Sequence, residues 1–204
     1  NKEIKIISPG VDQSWFNVDV KKKEKTLNLL YFGRLEYEKG IDIMLNSFAK
    51  VLPKFPSIKL HIIGEGNYMD ISKRYCNKLG IIGNVIFYGW KEMNDIQKIM
   101  SNCDLCILPS RIESFGLTIA EAMAAGIPVI STKAGAIPEI LKNGVTGTMV
   151  ASEDIEELTE AIIYALENKS EIQNRAKAAR KLIKKEFSWD VSVKKFIEVY
   201  KSLL

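Results

Sequence analysis

Histidine and cysteine are scarce in this chain, which has one histidine, His61, and three cysteines in 204 residues. A Ser-His-Asp triad needs a histidine as general base, and His61 lies inside an apolar strand-like run, where packing is the better interpretation. Cys103 and Cys106 have zinc or redox spacing, but without a second pair a tetrahedral zinc site lacks ligands. We therefore expect Cys76, Cys103 and Cys106 to be buried free thiols, which favours a reducing compartment.

Long apolar runs and dense basic patches are also missing. No apolar stretch approaches the roughly 18 residues that a membrane span needs. The net charge is +4, and the lysines of 21–25 fit a solvated face, whereas nucleic-acid binding needs clustered basic residues interleaved with aromatics. Residues 1–8 lack a signal-peptide core and start without Met. We therefore expect a fragment of a longer chain, or numbering from an internal point.

Short apolar runs that end in glycine or proline alternate with amphipathic stretches along the whole chain. This pattern predicts an α/β fold over 1–204: a doubly wound, Rossmann-like parallel sheet of about six strands, helices on both faces and a long C-terminal helix. The predicted strands are 27–32, 58–63, 84–88, 105–108, 128–131 and 146–150. The predicted helices are 42–52, 70–79, 94–101, 117–125, 137–142, 153–167, 171–186 and 189–203.

In such sheets ligands bind at the carboxyl ends of the strands, near the point where the strand order reverses. That rule selects the loops 33–40, 64–67, 89–93, 109–116 and 134–138.

The stretch from Glu113 to Glu121 is the most informative. Glu121 lies a little over one turn into an otherwise apolar helix, where an unsatisfied carboxylate is costly to bury. Free backbone amides of Phe115, Gly116 and Leu117 at the helix start form an anion site. A ligand with hydroxyls at both ends and phosphate between them, such as a nucleotide sugar, would fit. Alternatively, Glu121 pairs with a nearby Lys or Arg and Glu113 is solvated.

A second charged loop, 33–40, follows the first predicted strand. Arg34 and Lys39 lie there at the start of a helix, and a guanidinium and an ammonium in that place suit a diphosphate. The alternative is surface charge balanced by Glu36 and Glu38.

Together, the two motifs resemble the retaining group 1, or family 4, glycosyltransferases of GT-B fold. The resemblance runs from 8–12 to 187–189, and the Glu-x7-Glu element within 109–121 is its most specific part. It implies the C-terminal, donor-binding half of a two-domain enzyme whose N-terminal acceptor domain is absent here. One departure is visible: the family often has two glycines ahead of Pro-Glu, where this chain has Gly135 followed by Ala136 and Ile137.

The resemblance also implies roles for individual residues. Arg34 and Lys39 would hold the diphosphate and stabilise the leaving group, and Glu113 would bind the donor sugar's hydroxyls; these three are the catalytic candidates. Glu121 would bind the ribose. The remaining donor-binding candidates are Gly33, Phe115, Gly116 and Leu117, with Gly64, Trp90 and Lys91 flanking the base.

The implied donor is a UDP-, GDP- or ADP-sugar, from which a hexosyl unit is transferred with retention and without an essential metal or other cofactor. We expect the fragment alone to bind donor weakly and to turn over little or nothing. Its partner would be its own N-terminal domain, with no nucleic acid involved. The full-length protein is expected in the cytoplasm, with peripheral association at the membrane surface a further expectation. The apolar face of the final helix packs on its own domain in the simplest interpretation. In the family, however, this helix crosses back onto the N-terminal domain, so the alternative is that the face is uncovered here or pairs in a dimer.

Three rival functions remain open. A sugar-nucleotide sensor without catalysis would share the fold and the site. A nucleotide-sugar epimerase half is a more distant possibility. A NAD-dependent oxidoreductase is disfavoured, because Gly64-Glu65-Gly66 lacks a third glycine and follows the wrong strand.

Overall fold

The computed structural model describes residues 4–20 and 27–202. The strands are β1 (Asn28–Phe32), β2 (Lys59–Ile63), β3 (Val85–Phe87), β4 (Leu105–Leu108), β5 (Val129–Thr132) and β6 (Thr148–Val150). All pair in parallel in one sheet of order β3-β2-β1-β4-β5-β6. The chain thus starts in the middle of the sheet, grows to one edge, and returns to the middle at β4. The strand order reverses between β1 and β4, which confirms the predicted doubly wound fold.

Helices cover both faces of this sheet. They are α1 (Ile41–Val51), α2 (Met69–Lys78), α3 (Met93–Met100), α4 (Leu117–Ala125), α5 (Ile137–Ile140), α6 (Ile155–Glu167), α7 (Lys169–Glu186) and α8 (Trp189–Lys201). Helix α1 packs against α2 and α6, whereas α4 packs against α7 and a short 3-10 helix, Gln13–Asn17. Since crossovers are right-handed and the sheet grows in opposite directions from β1 and β4, these two groups lie on opposite faces.

Full burial of the central strands explains why the sequence shows apolar runs there rather than alternation. Every residue of β4 and β5 is buried. In β2, which lies nearer the edge, His61 is only partly buried; its ring nitrogens lie 2.9 Å from the Tyr88 hydroxyl and 3.0 Å from Asn28 Oδ1. His61 is therefore a packing residue in a hydrogen-bonded cluster. The three cysteines are buried and free, as predicted.

Some element ends differ from the prediction, each for a local reason. The helix predicted from residue 153 begins at Ile155, because Glu153 has a left-handed φ of 68° and Asp154 caps the helix by accepting from the Glu157 amide. The helix predicted to end at residue 142 ends at Ile140, because Leu141 is extended. The predicted residues 21–25 and 203 lie outside the described residues.

Helix α8 is attached mainly at its start. The Val11 amide donates to the Phe187 carbonyl at 2.7 Å, and the Trp189 amide donates to the Val11 carbonyl at 3.3 Å. Further along, an apolar stripe of α8 is exposed; it comprises Trp189, Val193, Phe196, Ile197 and Tyr200. Within residues 4–20 and 27–202, no helix has both the length and the apolar character to cross a bilayer.

Candidate functional site

A cavity of about 370 Å³ lies at the carboxyl ends of β1 and β2, beside the reversal of strand order. Six of the residues predicted from the sequence line it: Gly33, Arg34, Gly64, Trp90, Lys91 and Glu121. Glu65 and Met93, from the selected loops 64–67 and 89–93, also line it, whereas five lining residues were missed: Trp15, Phe32, Ile63, Ile96 and Thr118. Thr118 precedes Glu121 by three positions, so helical spacing places it on the same face. Nothing in the sequence connected Trp15 with this cavity.

The backbone of two glycines shapes the floor of the cavity. Gly33 has φ +145°, and a Cβ built there would have Thr118 Cγ2, at 3.9 Å, as its nearest neighbour. The space above Gly33 is therefore open to a ligand. At Gly64, in contrast, a Cβ would collide with the Gly33 carbonyl oxygen. Glycine at 64 thus lets the loops after β1 and β2 lie against each other.

Hydrogen bonds join the first three loops at this edge. The Leu35 amide donates to the Glu65 carbonyl at 2.8 Å, and the Gly64 amide donates to the Gly89 carbonyl at 2.8 Å. The Glu65 carboxylate accepts from the Trp90 amide at 3.2 Å. This leaves the exposed Trp90 indole at the rim of the cavity, where it offers a flat apolar surface.

Glu121 places a partly buried carboxylate in the cavity. Its pKa is raised to about 7, chiefly by burial; the nearby Trp15 indole N–H opposes this rise and the charge of Asp12 adds to it. Trp15 approaches without hydrogen-bond geometry, since its buried Nε1 has no partner in the described part of the chain. Within that part, no Lys or Arg pairs with Glu121 either, contrary to the alternative interpretation.

Lys39 and Glu113 pair with each other beside the cavity. The Lys39 ammonium lies 2.9 Å from Glu113 Oε2, and the two side chains are only 20% and 12% exposed. The other carboxylate oxygen of Glu113 accepts from the Ser114 amide at 3.1 Å. Glu113 is thus ion-paired with Lys39. The alternative interpretation, in which Glu113 is solvated, does not fit this arrangement.

The loop after β5 supports Glu113 from behind. The Ala136 amide donates to the Glu113 carbonyl at 3.4 Å. A Cβ at Gly135 would collide with that carbonyl, and Gly135 has a left-handed φ of 49°. Ala136 has φ −83°, which any residue adopts. The departure from the family's double glycine therefore falls on the position that does not require glycine.

Arg34 is exposed and its guanidinium lies 3.1 Å from the Glu38 carboxylate, a pair that the surface-charge alternative predicts. Exposed pairs of this kind contribute about 1 kcal/mol or less, so Arg34 could exchange Glu38 for a ligand phosphate. Glu36 does not take part. It accepts instead from the amide of Asn67, at 3.2 Å.

Helix α4 begins next to Glu113 with unpaired amides. Gly116, at φ +90°, is the N-cap, and no side chain caps the helix. In the described structure the amides of Gly116, Leu117 and Thr118 donate no hydrogen bond. The Phe115 ring packs at 5.9 Å from Phe187, so this residue offers its backbone rather than its side chain. The predicted residues thus form two groups, one around the cavity and one made of the Lys39–Glu113 pair and the start of α4.

Arg111 is a further residue to which the sequence interpretation gave no role, although it lies within the motif 109–116. It is the centre of an ion-pair network with Asp42 and Glu153. These partners lie far away in sequence, so no local pattern could have revealed them. Elsewhere, no three His, Cys, Asp or Glu side chains among residues 4–20 and 27–202 are placed to hold a metal ion; independence of a metal stays a prediction.

Comparison with known proteins agrees with this architecture. A glycogen synthase of Mycobacterium tuberculosis is 31% identical, over 97% of this chain and 48% of the relative. An uncharacterized glycosyltransferase of Methanocaldococcus jannaschii is 29% identical, over 98% of this chain and 54% of the relative. The crystal structure of Anabaena HepE in complex with UDP and glucose has the same fold, with a TM-score of 0.87 at 24% identity, over 97% of this chain and 57% of that chain.

The chain spans about half the length of the curated relatives it matches. The family whose model matches it is described as "Glycosyl transferases group 1", and the match covers residues 13–182. Because that match includes most of the chain, with both charged motifs inside it, the protein belongs to the group 1 glycosyltransferases.

Proposed function

We propose that this chain binds the nucleoside-diphosphate-sugar donor of a retaining glycosyltransferase, and that an N-terminal domain of the full-length protein holds the acceptor. The observation that carries the proposal is Glu121, a partly buried carboxylate that faces a cavity without a basic partner among the described residues. Burying such a group is unfavourable unless a ligand satisfies it. Two vicinal ribose hydroxyls are suitable donors for its two oxygens.

The size and lining of the cavity support a nucleoside. Its volume of about 370 Å³ lies in the range of small-molecule sites, about 300–1,000 Å³. Trp90 and Ile63 supply apolar surface for a base, and the open backbone at Gly33 lets phosphate pass close to the loop.

The Lys39–Glu113 pair supports a sugar diphosphate next to that nucleoside. Without ligand, each side chain satisfies the other. A donor would separate them, because a phosphate oxygen would take Lys39 while a sugar hydroxyl would donate to Glu113. Arg34 and the free amides at the start of α4 would add further positive potential, which offsets the charge that develops on the departing phosphate.

The relatives support the same class of ligand. One is a glycogen synthase, and another is an N-acetyl-alpha-D-glucosaminyl L-malate synthase from Bacillus anthracis, 27% identical over 100% of this chain. The Anabaena HepE structure contains UDP and glucose. We therefore propose hexosyl transfer as the reaction of the full-length protein, with charge neutralisation by Arg34 and Lys39 making a metal dispensable.

Calorimetric titration of this chain with UDP, GDP and ADP tests the donor site. We expect one nucleotide to bind weakly and Glu121→Gln to weaken it about tenfold, the loss of roughly one charge-assisted hydrogen bond. Glu186→Gln, at an exposed position of α7, is the matched control and should change nothing. If no nucleotide binds, or if both variants bind like the wild type, the donor-site proposal fails.

Transfer itself needs the protein with its N-terminal domain. We expect that protein to release nucleotide from one of the UDP-, GDP- or ADP-sugars when an acceptor panel is added. Binding without release from any donor would instead identify a sensor.

A further inference from the structure

Arg111 is a partly buried arginine whose hydrogen-bonding capacity is fully used. A guanidinium has five N–H donors, and here all five find acceptors. Nε donates to Glu153 at 2.5 Å, Nη1 donates to the Tyr37 carbonyl and to Asp42, and Nη2 donates to Asp42 and Glu153, at 2.7–3.1 Å. The side chain is only 10% exposed. Although Arg111 lies two positions before Glu113, it has no donor left for a ligand.

These acceptors belong to separate segments that all end at the same edge of the sheet. Tyr37 lies in the loop after β1, Asp42 in the first turn of α1, and Glu153 just before α6. The guanidinium also lies 4.0 Å from the centre of the Tyr37 ring, a cation–π contact. One side chain from the loop after β4 therefore holds two other segments, the stretch from Tyr37 to Asp42 and the turn before α6.

The backbone reinforces the same junction. The amides of Arg111 and Ile112 both donate to the Glu38 carbonyl, at 2.8 and 3.3 Å. A Cβ on Gly40 would collide with the Pro109 carbonyl. The loop after β1 and the loop after β4 are therefore in contact on both sides of Lys39, at Glu38 and at Gly40. Between these contacts lies Lys39, whose ammonium meets Glu113 from the opposite loop.

Glu153 shows that the network is maintained at the expense of local strain. Among the described residues it is the non-glycine residue with positive φ, at 68°. Side chains other than glycine, asparagine and aspartate rarely adopt that conformation. In it, both carboxylate oxygens of Glu153 accept from Arg111. Backbone strain held in place by surrounding contacts is characteristic of functional sites.

We propose that Arg111 is a positioning residue for the diphosphate of the donor. It clamps loop 33–40 to loop 109–116 and thereby sets the place of Lys39 relative to Glu113. This inference rests on the proposed function. The inference also predicts different effects on the diphosphate and on the nucleoside of the donor, because Arg111, Lys39 and Glu113 lie outside the lining of the 370 Å³ cavity. Loosening the clamp should affect the diphosphate and leave the nucleoside in place.

The test compares a nucleoside diphosphate with its monophosphate. Lysine at 111 keeps the charge but cannot satisfy five acceptors. By calorimetry, we expect Arg111→Lys to weaken whichever of UDP, GDP or ADP binds about tenfold, and the matching monophosphate less than about twofold, since misplaced groups lose most of their binding energy. Arg175→Lys is the matched control: Arg175 is 17% exposed, pairs with Glu171 and lies on α7. It should change neither affinity.

A second variant separates positioning from folding stability. Glu153→Gly removes two acceptors of Arg111 but relieves the left-handed strain, so diphosphate affinity should fall while the melting temperature stays near that of the wild type. Equal losses for diphosphate and monophosphate, or unchanged diphosphate affinity in Arg111→Lys, would overturn the inference.

Amide hydrogen exchange tests the clamp without any ligand. In Arg111→Lys we expect faster exchange at the amides of Lys39, Arg111 and Ile112, with the amides of β1 and β4 unchanged. If the wild type binds no nucleotide, the proposed function fails, but faster exchange at these amides would still support the clamp. Exchange like that of the wild type would refute it.

Discussion

Glu121 should make both stability and donor binding depend on pH around neutrality. Its pKa rises from the ordinary 4.5 to about 7 in the folded protein, chiefly through burial. Between these values the folded state holds more protons than the unfolded state, so stability decreases as pH rises. Each pKa unit corresponds to about 1.4 kcal/mol, so the difference across this window reaches about 3 kcal/mol at most. Glu121→Gln, which cannot ionise, should remove that part of the pH dependence.

Donor binding should change in the opposite direction, because ribose hydroxyls need the ionised carboxylate as acceptor. With a pKa of about 7, the ionised fraction rises about tenfold between pH 6 and pH 8, and affinity should rise with it. Calorimetry with a nucleoside-diphosphate sugar is the suitable assay, since this ligand has no terminal phosphate that titrates near neutrality. Glu121→Gln should bind weakly and without this pH dependence.

Donor affinity and urea unfolding, each measured as a function of pH, test the role of Glu121 independently. If the affinity of the wild type is constant from pH 6 to pH 8, then Glu121 is already ionised or does not contact the donor. If urea unfolding shows no difference in pH dependence between wild type and Glu121→Gln, then burial does not raise the pKa of this carboxylate.

Three further predictions concern single features of the structure. Lys39→Met leaves the partly buried Glu113 carboxylate without its cation, so urea unfolding should show a loss of about 2 kcal/mol. Adding Glu113→Gln should recover part of this loss, and strict additivity would contradict the pairing. Gly135→Ala should cost more than about 2 kcal/mol through its collision with the Glu113 carbonyl, whereas Gly80→Ala, with no atom near its Cβ, should lose only about 1 kcal/mol of left-handed strain; equal losses would show that the contact is unimportant. The three cysteines should react with a thiol reagent only after denaturation, because all are buried and burial raises the pKa of Cys76 to about 11; stoichiometric labelling of the native protein would contradict this.

The sheet was predictable because its signals are local. The strand Leu105–Leu108 and the helix Leu117–Ala125 have the predicted ends. The strand is an apolar run that Pro109 ends, and the helix is flanked by Gly116 and Gly126. Parallel order and right-handed crossovers then bring the correct loops to one edge. That is why six predicted residues surround one cavity.

The pairing of charges was not predictable, because it depends on distance in space. Arg34 has two acids close by in sequence and pairs with Glu38, whereas Lys39, with the same neighbours, pairs with Glu113 from another loop. Trp15 comes to Glu121 from the segment before the first strand. Such contacts follow from how loops meet, which sequence spacing does not encode.

The attachment of α8 has a consequence for the order in which this protein folds and opens. The contact between Val11 and Ser188 joins positions separated by nearly the entire chain. Closing so long a loop costs conformational entropy, and that cost becomes small only after the sheet between the two positions has formed. The helix beyond it leaves its apolar stripe exposed and adds little burial of its own. Helix α8 should therefore be the last element to dock and the first to open, a unit of low local stability that can detach while the six-stranded sheet stays folded.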